Sequence, residues 1–202
     1  MRIGIDLSTS GAISITDKNL IIDVLKYPQP EYNKNTEKVI KAKINFLKNE
    51  PKSATKIKQL KAELKTLKRH AVRDYKSIYD FLLPYRELID VCILEEPIRQ
   101  IGGFATSVDS IASNFTTLGV YTTILSILEI PYFLILPTQW HKQFDYNIIG
   151  KDNKEKRECI KRESIRICRE KFINADEFII VPRHKNEDDN IAESAILSLV
   201  EV

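Results

Sequence analysis

Apolar and polar residues alternate from the start of the chain. Arg2-Ile3-Gly4-Ile5 predicts a strand that is cut off by an acid, Asp6. Ser8, Thr9, Ser10 and Gly11 form a polar turn, and Ala12-Ile13-Ser14-Ile15-Thr16 then resumes the alternation. Two such runs joined by a tight turn read as an antiparallel hairpin. Leu20 to Tyr27 predicts a third strand, ended by Pro28-Gln29-Pro30. The period then changes to a helical one. Val39, Ile40, Ile44 and Leu47 make one apolar stripe, and after Asn49-Glu50-Pro51 a second runs through Ile57, Leu60, Leu64, Leu67 and Ala71 at heptad spacing. These predict a helical hairpin with apolar seams inside and lysines outside. A further helix through Tyr75, Ile78 and Leu82 ends or bends at Pro84.

Asp90-Val91-Cys92-Ile93-Leu94 is short, apolar and β-branched, which predicts a buried strand parallel to the first. It too runs into acid, Glu95-Glu96-Pro97. A helix is expected from about Thr106 to Glu129, with Ile111, Phe115, Leu118, Thr122 and Leu125 on its inner face, then another buried strand, Tyr132 to Leu136. Lys154 to Phe172 is amphipathic, with Ile160, Ser164, Ile167, Cys168 and Phe172 inward. The last helix begins near Asp189 and runs through Ala192, Ala195, Ile196 and Leu199. This order predicts an α/β layer fold whose mixed sheet starts antiparallel and finishes parallel. Ligands in such sheets gather at the carboxyl ends of strands, where both Asp6 and Glu95 lie.

The length, 202 residues, suits one domain, or one domain carrying an insertion. No apolar run reaches the roughly 20 residues that span a bilayer, and without a basic start followed by an apolar stretch nothing points to secretion. Cys92, Cys159 and Cys168, odd in number and set in apolar patterns, read as buried thiols of an intracellular protein. With three His and no paired Cys motif, zinc is not expected. The overall charge of +3 conceals a segregation. Between Lys34 and Arg73, thirteen basic residues face three acids, a net +10, which leaves the rest at −7. That stretch reads equally well as a surface for a polyanion or as a solvated Lys-rich helix face.

Asp6 has no structural role in a strand, since acids are depleted there and costly to bury unpaired. It is either solvated at the strand end, a ligand to a divalent metal, or part of a turn whose Ser-Thr-Ser-Gly cradles nucleotide phosphates. Two further acidic stations exist: Glu95-Glu96, and Glu187, Asp188, Asp189 and Glu193. On the final helix, Asn190 and Glu193 are three apart and Asp189 and Glu193 four apart, so either pair shares a face. Carboxylates gathered at adjacent strand ends repel one another unless cations neutralise them. Two hard divalent ions about 4 Å apart do so, and they can also activate a water and stabilise a leaving oxygen in phosphodiester hydrolysis.

These residues resemble the RuvC-type Holliday-junction resolvases of the RNase H-like superfamily, particularly the phage, poxvirus and low-GC bacterial versions. The resemblance rests on Ile3-Gly4-Ile5-Asp6 with its small-residue turn and Gly11, on Ile93-Leu94-Glu95-Glu96-Pro97, on Gly119, on Pro137-Thr138-Gln139-Trp140, and on Asp188 through Ser194. It covers residues 1–202 as a single nuclease domain, apart from an inserted Lys-rich helical hairpin at about 34–73. The implied fold is an RNase H-like mixed five-stranded sheet flanked by helices. The implied activity is metal-dependent cleavage of branched DNA, four-way junctions above all, by a homodimer in the cytoplasm of a bacterial cell, encoded by the cell, a phage or a mobile element. Mg²⁺ is the implied cofactor, with Mn²⁺ substituting.

By the same resemblance Asp6 and Glu95 are metal ligands, with Glu96 as the alternative to Glu95. Glu193 takes the place of the family's last Asp, and the acid or His one turn earlier falls on Asn190, so Asn190 or Asp189 supplies that ligand. Lys154 and Lys156 lie where the family carries a lysine near the attacked phosphate, and either is equally an ordinary surface residue. Phe104 is a wedge between base pairs or a loop anchor. His184 reads as loop surface and Trp140 as packing. Lys56, Lys58, Lys61, Lys65 and Lys68 are expected to run along duplex phosphates, with dimerisation the competing use of their apolar seam. Three rival readings remain: a nucleotide-binding domain of the actin and sugar-kinase kind, a junction-binding protein whose metal site has decayed, and a nuclease for flaps, forks or RNA.

Overall fold

The computed structural model describes residues 1–8, 11–27, 34–48, 53–69, 74–97, 108–180 and 187–202; for 34–37, 65–69 and 108–110 it describes the backbone alone. In chain order the elements are β1 (Arg2–Ile5), β2 (Ala12–Asp17), β3 (Leu20–Lys26), α1 (Lys34–Leu47), α2 (Ala54–Arg69), α3 (Tyr75–Leu82) and a 3-10 turn (Leu83–Leu88). There follow β4 (Val91–Glu95), α4 (Val108–Ile127), β5 (Tyr132–Ile135), α5 (Pro137–Gln143), α6 (Asn153–Lys171), α7 (Ala175–Ile179) and α8 (Asp189–Leu197). They form two compact units, residues 1–27 with 78–202, and residues 28–77.

In the larger unit five strands make one sheet in the order β3-β2-β1-β4-β5. β1 pairs antiparallel with β2 (Ile3 opposite Ile15) and parallel with β4 (Ile5 opposite Leu94), and β4 pairs parallel with β5. The sheet is antiparallel at β1-β2 and parallel at β1-β4 and β4-β5, the α/β layer arrangement with a mixed sheet that the order of elements predicts.

Strand alternation divides the sheet into two different faces. Ile3, Ile5, Ile13 and Ile15 fill one and are fully buried. The other presents Gly4, Ser14 and Thr16, and α8 lies directly on them. A Cβ on Gly4 would fall 1.8 Å from the Ser194 carbonyl oxygen and 2.6 Å from the Ser198 nitrogen, so only glycine admits the helix at this distance. Two buried hydroxyl pairs tie the layers together, Ser14 Oγ to Ser194 Oγ at 2.6 Å and Thr16 Oγ1 to Ser198 Oγ at 2.7 Å. Around them Trp140, Ile167, Cys168, Phe172, Ile179, Ile196 and Leu197 close the core.

Three expectations change, and α7 is an element that the pattern did not predict. Among the described side chains of α4 the buried positions are Thr117, Tyr121, Ile124 and Leu125, with Leu128 buried just past its end; Ile111, Phe115, Leu118 and Thr122 are only partly covered. That helix is apolar most of the way round, so periodicity did not single out its inner face. β5 is an edge strand, which leaves Tyr132, Phe133 and Leu134 exposed rather than buried. The five-residue helix α7 is too short to register as a period. In the smaller unit α1 packs on α2, and Ile40, Ile44 and Leu47 are buried, whereas Val39 is 52% exposed and sits off the seam.

Candidate active site

Because Ile5 stands opposite Leu94, the residues that follow, Asp6 and Glu95, leave adjacent parallel strands side by side. Alternation turns both toward the face covered by α8, and turns Glu96 away. Glu95 lines an open cleft of about 520 Å³ together with Asp189, Asn190 and Glu193. Glu96 does not line it. The close seat of α8 on Gly4 brings the acids of this helix over the strand ends.

Each acid is held by a particular donor. Asp6, 2% exposed, accepts from the Ser8 backbone N–H at 2.8 Å and from the Ser8 hydroxyl at 3.0 Å. That hydroxyl also lies 3.2 Å from Asn190 Oδ1, so Ser8 spends its groups inside the acid cluster. Glu95 Oε2 accepts from the indole N–H of the fully buried Trp140 at 3.2 Å. Glu193 Oε1 accepts from the buried hydroxyl of Ser164 on α6 at 3.1 Å. Asp189 faces the Lys161 ammonium at 3.5 Å. Asp188 differs from these. It caps α8 by accepting from the Ile191 N–H and pairs with Lys26, so its buried carboxylate is structural.

Burial raises Asp6 from 3.8 to about 6, with the charges of Asp189 and Asp188 adding to the rise. Burial likewise raises Glu95 from 4.5 to about 8, with Asp6 contributing and the Trp140 hydrogen bond opposing. Glu193 is pushed well above the ordinary carboxylate range by burial and then by Asp6, Glu95 and Asp189. The three acids therefore sense one another, Glu95 and Glu193 from the cleft wall and Asp6 from a buried position that does not line it, and a full set of negative charges there is unfavourable without added cations.

Arg157 and Lys161 of α6 form the basic wall, and His141 lies beside them. Burial among Trp140 and Tyr146 lowers His141 to about 4, which leaves its imidazole neutral near pH 7. The two lysines singled out from the sequence lie elsewhere. Both are exposed on α6; Lys154 borders a separate depression beside Gly150 and Lys151, and Lys156 does not reach the cleft wall. Lys56, Lys58 and Lys61 are exposed on α2, while Phe104, His184 and the side chains of Lys65 and Lys68 fall outside the described residues.

Four contributors were not read from the sequence as site residues: Trp140, Ser164, Arg157 and Lys161. A signal existed for three of them. Arg157, Ile160, Lys161 and Ser164 recur at i, i+3, i+4 and i+7, one stripe of α6, and that stripe is the one turned toward the cleft. Trp140 carries no such mark, since its role depends on β4 and α5 meeting.

No protein-family model matches the chain, and no curated protein does. Among solved structures the chain is similar to Thermus thermophilus RuvC in complex with a Holliday junction substrate, with 10% identity over 98% of this chain and 89% of that one and a TM-score of 0.50. A second match is a Thermus thermophilus RuvC structure, at 11% identity over 98% of this chain and 90% of that one, with a TM-score of 0.47. At this identity the likeness is one of fold alone: the mixed five-stranded sheet with flanking helices is the RuvC-type, RNase H-like fold.

Proposed function

We propose that this protein is a divalent-metal-dependent endonuclease that cleaves branched DNA, with the four-way junction as its main substrate. One observation carries the reading: Asp6, Glu95 and Glu193 meet beneath α8 at the carboxyl ends of β1 and β4, each with its proton held more tightly than an ordinary carboxylate. The fold likeness to a protein bound to a Holliday junction supports the choice of substrate class, and the sequence resemblance to the phage and poxvirus resolvases supports it further.

The donor set fits hard cations, being carboxylates with one amide oxygen. As the side chains stand, no three acidic, His or Cys groups converge on a point among the described residues. Loading therefore requires the acidic side chains to draw together on the ion. Asp6, Glu95 and Glu193 would hold Mg²⁺ or Mn²⁺, with Asp189 or Asn190 completing the set. When bound, the metal neutralises the carboxylates, lowers the pKa of a water and stabilises the leaving oxygen.

The chain's own groups do the rest. Trp140 and Ser164 orient Glu95 and Glu193, and Ser8 fixes Asp6. Arg157 and Lys161 offer cationic donors to the phosphate from the opposite wall. The exposed lysines of α2 neutralise phosphates of the duplex arms without reading bases. Symmetric resolution of a four-way junction needs two such clefts related by a two-fold axis, hence a homodimer.

The test is cleavage of a labelled synthetic four-way junction, beside linear duplex, flap and fork controls, in Mg²⁺ and in Mn²⁺. Paired symmetric nicks in the junction, lost in Asp6→Asn, are expected. Equal cutting of flaps or forks would widen the substrate class. Tight junction binding with no cutting in either metal would replace this reading with that of a junction-binding protein, a role to which Asn190 at a ligand position lends weight.

A further inference from the structure

Of the four acids around the cleft, three are held by neutral donors and one by a cation. Asp189 alone is paired with an ammonium, that of Lys161, at the loose distance of 3.5 Å. The Lys161 side chain is 49% exposed and that of Asp189 26%. An exposed pair of this kind is a weak tether, easily exchanged for a stronger partner. Lys161 also lines the cleft from the wall that faces the acids, one turn of α6 beyond Arg157. Arg157 makes no ion pair among the described residues, so the two cations of the wall differ in their surroundings before DNA arrives.

We propose that Lys161 is a movable counter-ion: it neutralises Asp189 in the metal-free cleft and passes to a DNA phosphate once a divalent cation claims the acids. The inference rests on the reading of the cleft as a metal site. An added cation next to Asp189 competes with the ammonium for the same carboxylate, and the displaced ammonium then has an unpaired phosphate within the same cleft as its best partner. The exchange couples metal loading to substrate binding. Each makes the other more favourable, because Lys161 serves only one anion at a time.

The test uses the whole chain and reads binding rather than turnover. Mn²⁺ is titrated by calorimetry and followed by the emission of Trp140, the single tryptophan, whose indole touches Glu95. Lys161→Met is expected to bind Mn²⁺ about two- to fivefold more tightly than wild type, the size of effect an exposed ion pair supports. Lys161→Arg keeps the pair and should match wild type, and Arg157→Met should also match it. Junction affinity is then measured against salt with and without Ca²⁺. Lys161→Met should lower the salt slope by about 0.9 only when the cation is present, whereas Arg157→Met should lower it in both conditions. Metal affinity unchanged or weakened in Lys161→Met overturns the exchange while leaving the metal site in place. Wild type that binds no Mn²⁺, with Asp6→Asn indistinguishable from it, overturns the reading of the cleft and this inference with it.

Discussion

In the cleft beneath α8 the acids are buried or half-buried, and every acid has a specific neighbour: Ser8, Trp140, Ser164 or Lys161. On α2, charge is spread over lysines that stand in solvent, such as Lys56, Lys58 and Lys61. The cleft concentrates a few groups in a place where water screens them little, so single side chains carry large effects and their protonation is altered. The hairpin obtains its field from number, so no one lysine matters much and salt weakens all of them together. The same residue class, charged and polar, does local chemistry in one region and long-range attraction in the other.

The largest effect should come from the one position that lets the cleft form. Gly4→Ala forces a methyl group into the backbone of α8 and is expected to cost about 3 kcal/mol in urea unfolding, the upper part of the range for overpacking. A Gly4→Ala protein as stable as wild type would mean that the acids of α8 do not depend on this close contact, and the contrast with the hairpin would collapse.

A pH effect of the order of a few kcal/mol follows from the raised acids. Asp6 and Glu95 titrate at about 6 and about 8 in the folded chain, above their ordinary values of 3.8 and 4.5. The folded state therefore holds protons that the unfolded chain has released. The contribution of these groups to the stability of the metal-free protein is fully present below about pH 4 and is lost as pH rises through the folded-state values. Thermal melts from pH 5 to 8.5 should show this decline, flattened in Glu95→Gln and in Asp6→Asn. Identical slopes in wild type and variants would place the stored charge elsewhere.

The smallest effect per residue belongs to the hairpin. Replacing Lys56, Lys58 and Lys61 together with Gln should reduce the salt dependence of junction binding by up to about 0.9 for each lost phosphate contact, with no change in urea stability. An unchanged slope would make the lysines a solvated surface and turn attention to the apolar seam of α1 and α2.

Much of this arrangement was legible in the chain. Alternation in residues 2–16 is a strong signal because a period of two matches the pleat of a strand and not the turn of a helix, and acids at the ends of apolar runs stand out against strand composition. Trp140 carried no comparable signal, and the stripe of α6 that includes Ser164 did not say what that serine meets. A serine inside an amphipathic helix and a tryptophan after a strand both look like packing until the partner is in place. Arg157 and Lys161 were obscured for a related reason: α6 is basic on several faces, so charge alone did not indicate which pair looks into the cleft.

The local periods, the order of strands and helices, and the three acidic stations were all set within the chain itself, because these depend on neighbours a few residues away. Tertiary structure decided which acids meet, since that depends on the register of β1 against β4 and on the approach of α8 to Gly4. It also decided which cation faces them, since Lys161 gains its role only where α6 crosses α8. The physical reason is common to all of these: burial and electrostatic coupling act through space over a few ångströms, and partners such as Glu95 and Trp140 are separated by 45 residues of chain.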